Sequence, residues 1–176
     1  MKTLKSLFFL IIISLILSSC SRIDPLDFHG FREPEPQAYV QLLPIVQEYF
    51  YQRKQAVLSG ALDIFFQSYL PLAEGADLEK GVNCEAYLVQ SMHTLQPIDG
   101  NIHPEYYEKI KIKESQTDLE ILVHGMELYL WQDTDGTLME SGGEFKLQLH
   151  LQKKDGTWQV VKTDQVTLAE WHGFDQ

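Results

Sequence analysis

The side chains able to do chemistry in this chain are few and scattered, and their spacing excludes more than it assigns. His93, His103, His124 and His150 stand far apart, with no short repeat on one helix face and no cysteine companion, so zinc-type spacing is absent. "HPEYYEK" (103–109) brings a histidine, acids and two tyrosines to a strand entry, where they read as a rim or edge feature. There is no glycine-rich phosphate loop, no nucleophile elbow and no basic, aromatic stripe for nucleic acid. No cofactor and no metal is implied. Three features stand out: Cys20, directly behind an oily segment; Cys84, the other cysteine; and the charges Lys162 and Asp164, which break an apolar alternation near the C-terminus.

Cys20 takes its meaning from what precedes it. Lys2 and Lys5 open the chain, residues 7–17 are apolar except Ser14, and small polar residues follow. This is the layout of a secretory signal, with an apolar run too short to span a bilayer comfortably. Leu17-Ser18-Ser19-Cys20 resembles the lipobox of bacterial lipoproteins. That resemblance implies cleavage before Cys20, a diacylglyceryl group on its thiol and an acylated new amino group. At about 0.8 kcal/mol per buried methylene, two or three acyl chains hold such a product on the membrane. The organisation expected is a signal peptide over 1–19, a lipidated cysteine and tether over 20–37, and one domain over 38–176. The location expected is the extracytoplasmic side of a bacterial cell membrane or outer membrane. Pro25, Pro34 and Pro36 punctuate the tether, whose fullest reach is roughly 50 Å at about 3.3 Å per residue. Phe28 and Phe31 could instead pack back on the domain and shorten it.

Charge narrows the partners. The chain carries a formal −11, and loses two lysines with the leader, so it repels phosphate backbones and anionic bilayers alike. Nucleic acid is excluded as a partner. With Cys20 lipidated, Cys84 has no disulfide partner within the chain and reads as a small buried apolar residue.

The elements that must position any site follow from periodicity. Tyr39, Leu42, Leu43, Val46, Phe50 and Val57 recur on one helical side; Pro36 suits its start, and Pro44 is either a kink or the true first turn. Ser59-Gly60 interrupts it. A shorter amphipathic stretch follows with Leu62, Phe65, Phe66 and Tyr69, ended by Pro71 and Gly75. Asp77 is expected to cap a third helix through about His93, with Tyr87, Leu88 and Met92 inward. Beyond Pro104 the pattern alternates, predicting strands over roughly 106–115, 119–131, 143–153 and 157–168. "QDTDGT" and "KKDGTW" are hairpin turns between them. The fold class expected is α+β, with N-terminal helices packed on a curved antiparallel sheet.

"VLSGALDIFFQSYL" and "GGEFKLQLHLQKKDGTWQVVKTDQV" resemble the nuclear transport factor two-like superfamily, also called SnoaL-like or cystatin-like, over about residues 39–170. The resemblance implies a cone-shaped roll whose inner sheet face lines a cavity open at one end. With Asp155-Gly156 as a two-residue turn, Lys154 opposes Thr157. One face then collects Phe145, Leu147, Leu149 and Leu151 with Trp158, Val160, Lys162, Asp164 and Val166. The other collects Lys146, Gln148, His150, Gln152, Gln159, Val161, Thr163 and Gln165, and is expected to be wet. Lacking an apolar patch there, the chain is expected to be a monomer.

Lys162, Asp164 and Trp158 are thus pocket candidates, the two charges alternatively forming a solvated pair on the rim. Two functions from different classes fit. One is a tethered module holding a small apolar ligand or docking an envelope protein. The other resembles ketosteroid isomerases or scytalone dehydratase, with Asp164 as base and Tyr129 or Tyr87 as hydrogen-bond donor.

Overall fold

The computed structural model describes residues 30–104 and 110–165. Helix α1 runs from Pro36 to Ser59, with Pro36 in its first turn, where a missing N–H costs nothing. It continues through Pro44 and ends at Gly60. Leu42, Val46, Tyr49, Phe50, Arg53, Ala56 and Val57 are its buried residues, a stripe at the helical period. Helix α2 covers Leu62–Ser68, and a 3-10 turn covers Leu70–Ala73.

The third helix is shorter than expected: α3 spans Glu85–His93. Asp77 does not cap it. Its carboxylate accepts the Lys80 N–H at 3.1 Å, and its backbone bridges Val82. Left-handed conformations at Gly81 and Asn83 then turn the chain before a helix can begin. Tyr87, expected inward, is 57% exposed; Val89 takes the buried position, flanked by half-buried Leu88 and Met92.

Among the described residues five antiparallel strands form one curved sheet: β1 (Asp99–Pro104), β2 (Ile110–Glu114), β3 (Asp118–Gln132), β4 (Leu138–Lys154) and β5 (Thr157–Asp164). The order is β1-β3-β4-β5, with β2 also paired to β3, so β1 and β2 share one edge of that strand. Strand β1 had no signal in the sequence, because "DGNIHP" does not alternate. Its Gly100 has a packing reason: a Cβ there would lie 2.5 Å from Cδ1 of Tyr129, whose ring covers the glycine from the opposing strand. Residues 105–109, in the expected first strand, and 166–176 lie outside the described residues.

The helices cover one face of the sheet. Val46, Phe50 and Phe65 pack there with Ile121, Val123, Leu147 and Leu149. Phe31 is fully buried and Arg32 bridges Ile112 on β2, so residues 31–32 belong to the folded unit.

The last hairpin turns at Asp155-Gly156, and its first four pairs, Lys154↔Thr157 through Leu151↔Val160, follow the expected register. Then a β-bulge intervenes. Val161 is extra, and pairing resumes as His150↔Lys162, Leu149↔Thr163 and Gln148↔Asp164. One inserted residue exchanges the faces beyond it, so Thr163 joins the core face and Lys162 and Asp164 go to the other.

That other face is not uniformly wet. Gln148 is 1% exposed, and its amide donates to Glu120 across the sheet at 2.5 Å, while Leu122 and His124 are also buried. Polar composition there predicted solvation; Gln148 bonds across strands to Glu120 and His124 contacts Glu144 instead, while Gln152 and Gln159 at the hairpin tip are exposed.

Candidate functional site

Between α1, α3 and the inner face of β3 and β4 lies a polar cluster inside an otherwise apolar core. Arg53 occupies a position in the buried stripe of α1, with a side chain 4% exposed, and forms an ion pair with Glu127 of β3. Phe50 and Phe145 stand on the guanidinium, with ring centroids 5.3 and 5.8 Å from its carbon. Burial opposes the charge on Arg53, but Glu127 and the neighbouring Tyr49 and Tyr129 outweigh that and hold its pKa above the usual arginine value. Removing either partner of such a pair strands a buried charge, at about 3–5 kcal/mol.

One turn up the helix, Tyr49 donates to Oε1 of Glu85 at 2.7 Å, and Thr163 donates to the same oxygen at 2.5 Å. Glu85 is fully buried, at the first residue of α3, where the helix dipole favours a carboxylate. The bulge in β5 is what brings the Thr163 hydroxyl to it. Tyr129 sits two residues beyond Glu127 on the same face, and its buried hydroxyl has no hydrogen-bond partner among the described residues. Burial, then the Glu127 charge, pushes the Tyr129 phenol well above the ordinary tyrosine pKa; burial and Glu85 do the same to Tyr49.

The ion pair borders open space. Two cavities, of about 310 and 180 Å³, share Arg53, Leu88, Glu127 and Phe145 in their walls. Val57 and Met92 add apolar surface to the smaller one. Two glycines of β4 shape this mouth. At Gly142 (φ 153°) a Cβ would meet the Glu127 carbonyl oxygen at 1.8 Å, so nothing larger fits. At Gly143, opposite Glu127, a Cβ would meet nothing within 4 Å. The missing side chain there leaves the mouth open.

The residues singled out from the sequence are not brought together. Asp164 is buried, with Lys162 Nζ 3.9 Å from its carboxylate, but it lies on the opposite sheet face from Tyr129. Tyr87 points to solvent. Trp158 is half-buried at the hairpin tip, with Lys153 Nζ 5.5 Å from its ring, far along β5 from the Arg53 cluster. Cys20 lies outside the described residues. Cys84 is buried, and burial, then Glu85, Asp77 and Asp164, push its thiol pKa up, which disfavours the thiolate. His93 ties α3 to α1 through a 2.8 Å contact with the Val57 carbonyl, and His124 contacts Glu144 at 3.3 Å. Among the described residues no three His, Cys, Asp or Glu side chains group to hold a metal ion.

Sequence reasoning passed over Arg53, Glu85 and Glu127. A signal existed for the first and last: the stripe of α1 leaves a gap between Phe50 and Val57 that Arg53 fills, and Glu127 falls on the inward parity of β3 with Leu119, Ile121 and Val123.

Helices packed on one face of a curved antiparallel sheet, with a polar pocket at the mouth, make this an α+β domain. Among solved structures the chain is similar to a candidate dehydratase of the nuclear transport factor two-like family from Streptomyces avermitilis. The two are 10% identical with a TM-score of 0.45, covering 76% of this chain and all of the other. It is also similar to a candidate calcium/calmodulin-dependent protein kinase II association domain from Xanthomonas campestris, at 16% identity and a TM-score of 0.40, over 78% of this chain and 91% of that one. These likenesses are of fold alone. No family model and no curated protein sequence matches the chain.

Proposed function

We propose that this protein is a lipid-anchored, extracytoplasmic binding domain that holds a small, largely apolar ligand at the mouth of its cone. The observation that carries this reading is the pair of cavities around the buried Arg53–Glu127 pair. The larger, about 310 Å³, lies at the lower end of small-molecule sites; Leu88, Phe145 and Leu147 give it apolar wall, and the Arg53–Glu127 pair, Lys146 and Gln165 supply a few polar groups, the usual character of such sites. Binding is favoured over acid–base catalysis because Glu127 is committed to Arg53, and Asp164 cannot approach Tyr129 across the sheet. The tether supports the anchored part of the reading. Between Cys20 and the packed Phe31 the chain reaches at most roughly 36 Å, which holds the domain close to the membrane.

Native mass spectrometry of the protein extracted from membranes tests the ligand. The wild type should carry a small molecule that Gly143→Leu lacks, since a Cβ there meets nothing within 4 Å and the side chain would stand in the mouth of the smaller cavity. Identical unliganded spectra from both would end the binding reading. For the anchor, a palmitate analogue should label the wild type and not Cys20→Ala; equal labelling of the two would refute lipidation.

A further inference from the structure

A second site lies at the other end of α1, away from the Arg53 mouth. It is a groove of about 560 Å³ between the N-terminal half of α1, the segment joining α2 to the 3-10 turn, and the tip of the β4–β5 hairpin. Its polar and aromatic lining includes Glu48, Gln67, Tyr69, Lys154, Trp158 and Gln159, set among the apolar side chains of Ile45, Leu70 and Val160. We propose that this groove is a binding site for a neutral polyhydroxylated ligand, a short stretch of uncharged oligosaccharide.

The chemistry of the lining selects that class. A pyranose ring has an apolar face of weakly positive C–H groups, which lies well on the negative face of an aromatic ring, and a rim of hydroxyls that donate and accept at once. Trp158, over one side of whose ring Lys153 Nζ stands at 5.5 Å, and Tyr69 supply the rings. Glu48, one oxygen of which already accepts from Gln52 at 2.7 Å, supplies further acceptors, Lys154 donors, and Gln67 and Gln159 both, so either role of a hydroxyl can be met. Glu48 and Lys154 balance in charge, so the groove has no excess of either sign to recruit an ion. The formal charge of −11 over the chain opposes anionic polymers further. A wholly apolar ligand would strip water from these polar side chains without replacing its hydrogen bonds. A peptide adding as a strand along β5 finds part of that edge taken. Asn83 N–H already donates to the Thr163 carbonyl, and Gln165 N–H to that of Gly81.

The walls are stiff, which limits the entropy lost on binding. Pro44 and Pro71 flank the groove. The Tyr69 ring is fixed against Phe65 and Tyr49, with centroids 5.0 and 5.5 Å away. Burial and then the Glu48 charge raise the Tyr69 phenol above its ordinary pKa, which places Glu48 near a hydroxyl that stays protonated.

The test uses the full chain extracted in a sugar-free zwitterionic detergent, titrated with chitotriose, cellotriose and maltotriose and followed by isothermal titration calorimetry. At least one trisaccharide should give a saturable change in the millimolar range. Trp158→Ala should weaken it by about tenfold or more, while Gly143→Leu, at the other cavity, leaves it unchanged. Glu48→Gln, which keeps the shape of the groove and removes two acceptor sites, should weaken binding by several-fold. The proposal is overturned if none of the three sugars gives a saturable signal with the folded protein, or if Trp158→Ala binds as the wild type does. Loss of sugar binding in Gly143→Leu with retention in Trp158→Ala would move the site to the mouth and equally refute it.

Discussion

Glu85 is the side chain whose surroundings say most about how this interior is held. Its one oxygen receives hydroxyls from a helix and from a strand, Tyr49 and Thr163, so it joins α1, α3 and β5 at a point with no access to water. Glu85→Ala leaves both hydroxyls unpaired and opens a cavity, and should cost about 3–5 kcal/mol in urea unfolding. Glu85→Gln keeps an oxygen for both donors and should cost no more than about 1–2 kcal/mol. If the two variants melt within measurement error of each other, the hydroxyl bonds contribute nothing and the role assigned to Glu85 is wrong.

At the scale of elements, the decisive feature is the bulge at Val161. A strand with unbroken alternation would have put Lys162 and Asp164 on the core face and Thr163 on the other. The extra residue reverses that and delivers the threonine hydroxyl to Glu85. The ranking of two substitutions follows. Thr163→Val removes a buried donor from a carboxylate and should cost about 1–3 kcal/mol. Lys162→Ala removes a half-exposed ammonium 3.9 Å from its partner and should cost less than about 1 kcal/mol. Thermal melts of the two giving the opposite order would restore the unbulged ladder. Helix α1 shows a related tension. It keeps Pro44 in its interior, where a ring removes a hydrogen bond, and that ring is a wall of the groove assigned to sugar.

The whole molecule responds to alkali through its buried phenols. Tyr49 and Tyr129 have folded-state pKa values raised by burial first and by Glu85 and Glu127 next. An unfolded tyrosine releases its proton near pH 10 whereas these retain theirs, so their contribution is complete below about pH 10 and is lost as pH rises beyond it. Urea midpoints measured upward from pH 8 should therefore fall above about pH 10. Tyr129→Phe removes a hydroxyl that has no partner among the described residues, so it should leave neutral stability within about 1 kcal/mol and flatten the alkaline decline. Tyrosinate absorbance from every tyrosine while near-ultraviolet circular dichroism stays native would contradict the burial on which this rests.

The sequence by itself settled what depends on neighbours along the chain. The period of α1, the turn at Asp155-Gly156, four pairs of the last hairpin and the α+β class were legible because a helix stripe and a two-residue turn are local regularities. What only the tertiary structure decided depends on groups far apart in sequence. Strand β1 forms because Tyr129 covers Gly100, α3 begins late because Asp77 closes on Val82, and the outer face buries Gln148 because Glu120 accepts its amide. The same holds for the candidate site. Arg53 and Glu127 each sat at an inward position in the sequence, but their pairing spans 74 residues, and no local pattern encodes which buried charge meets which.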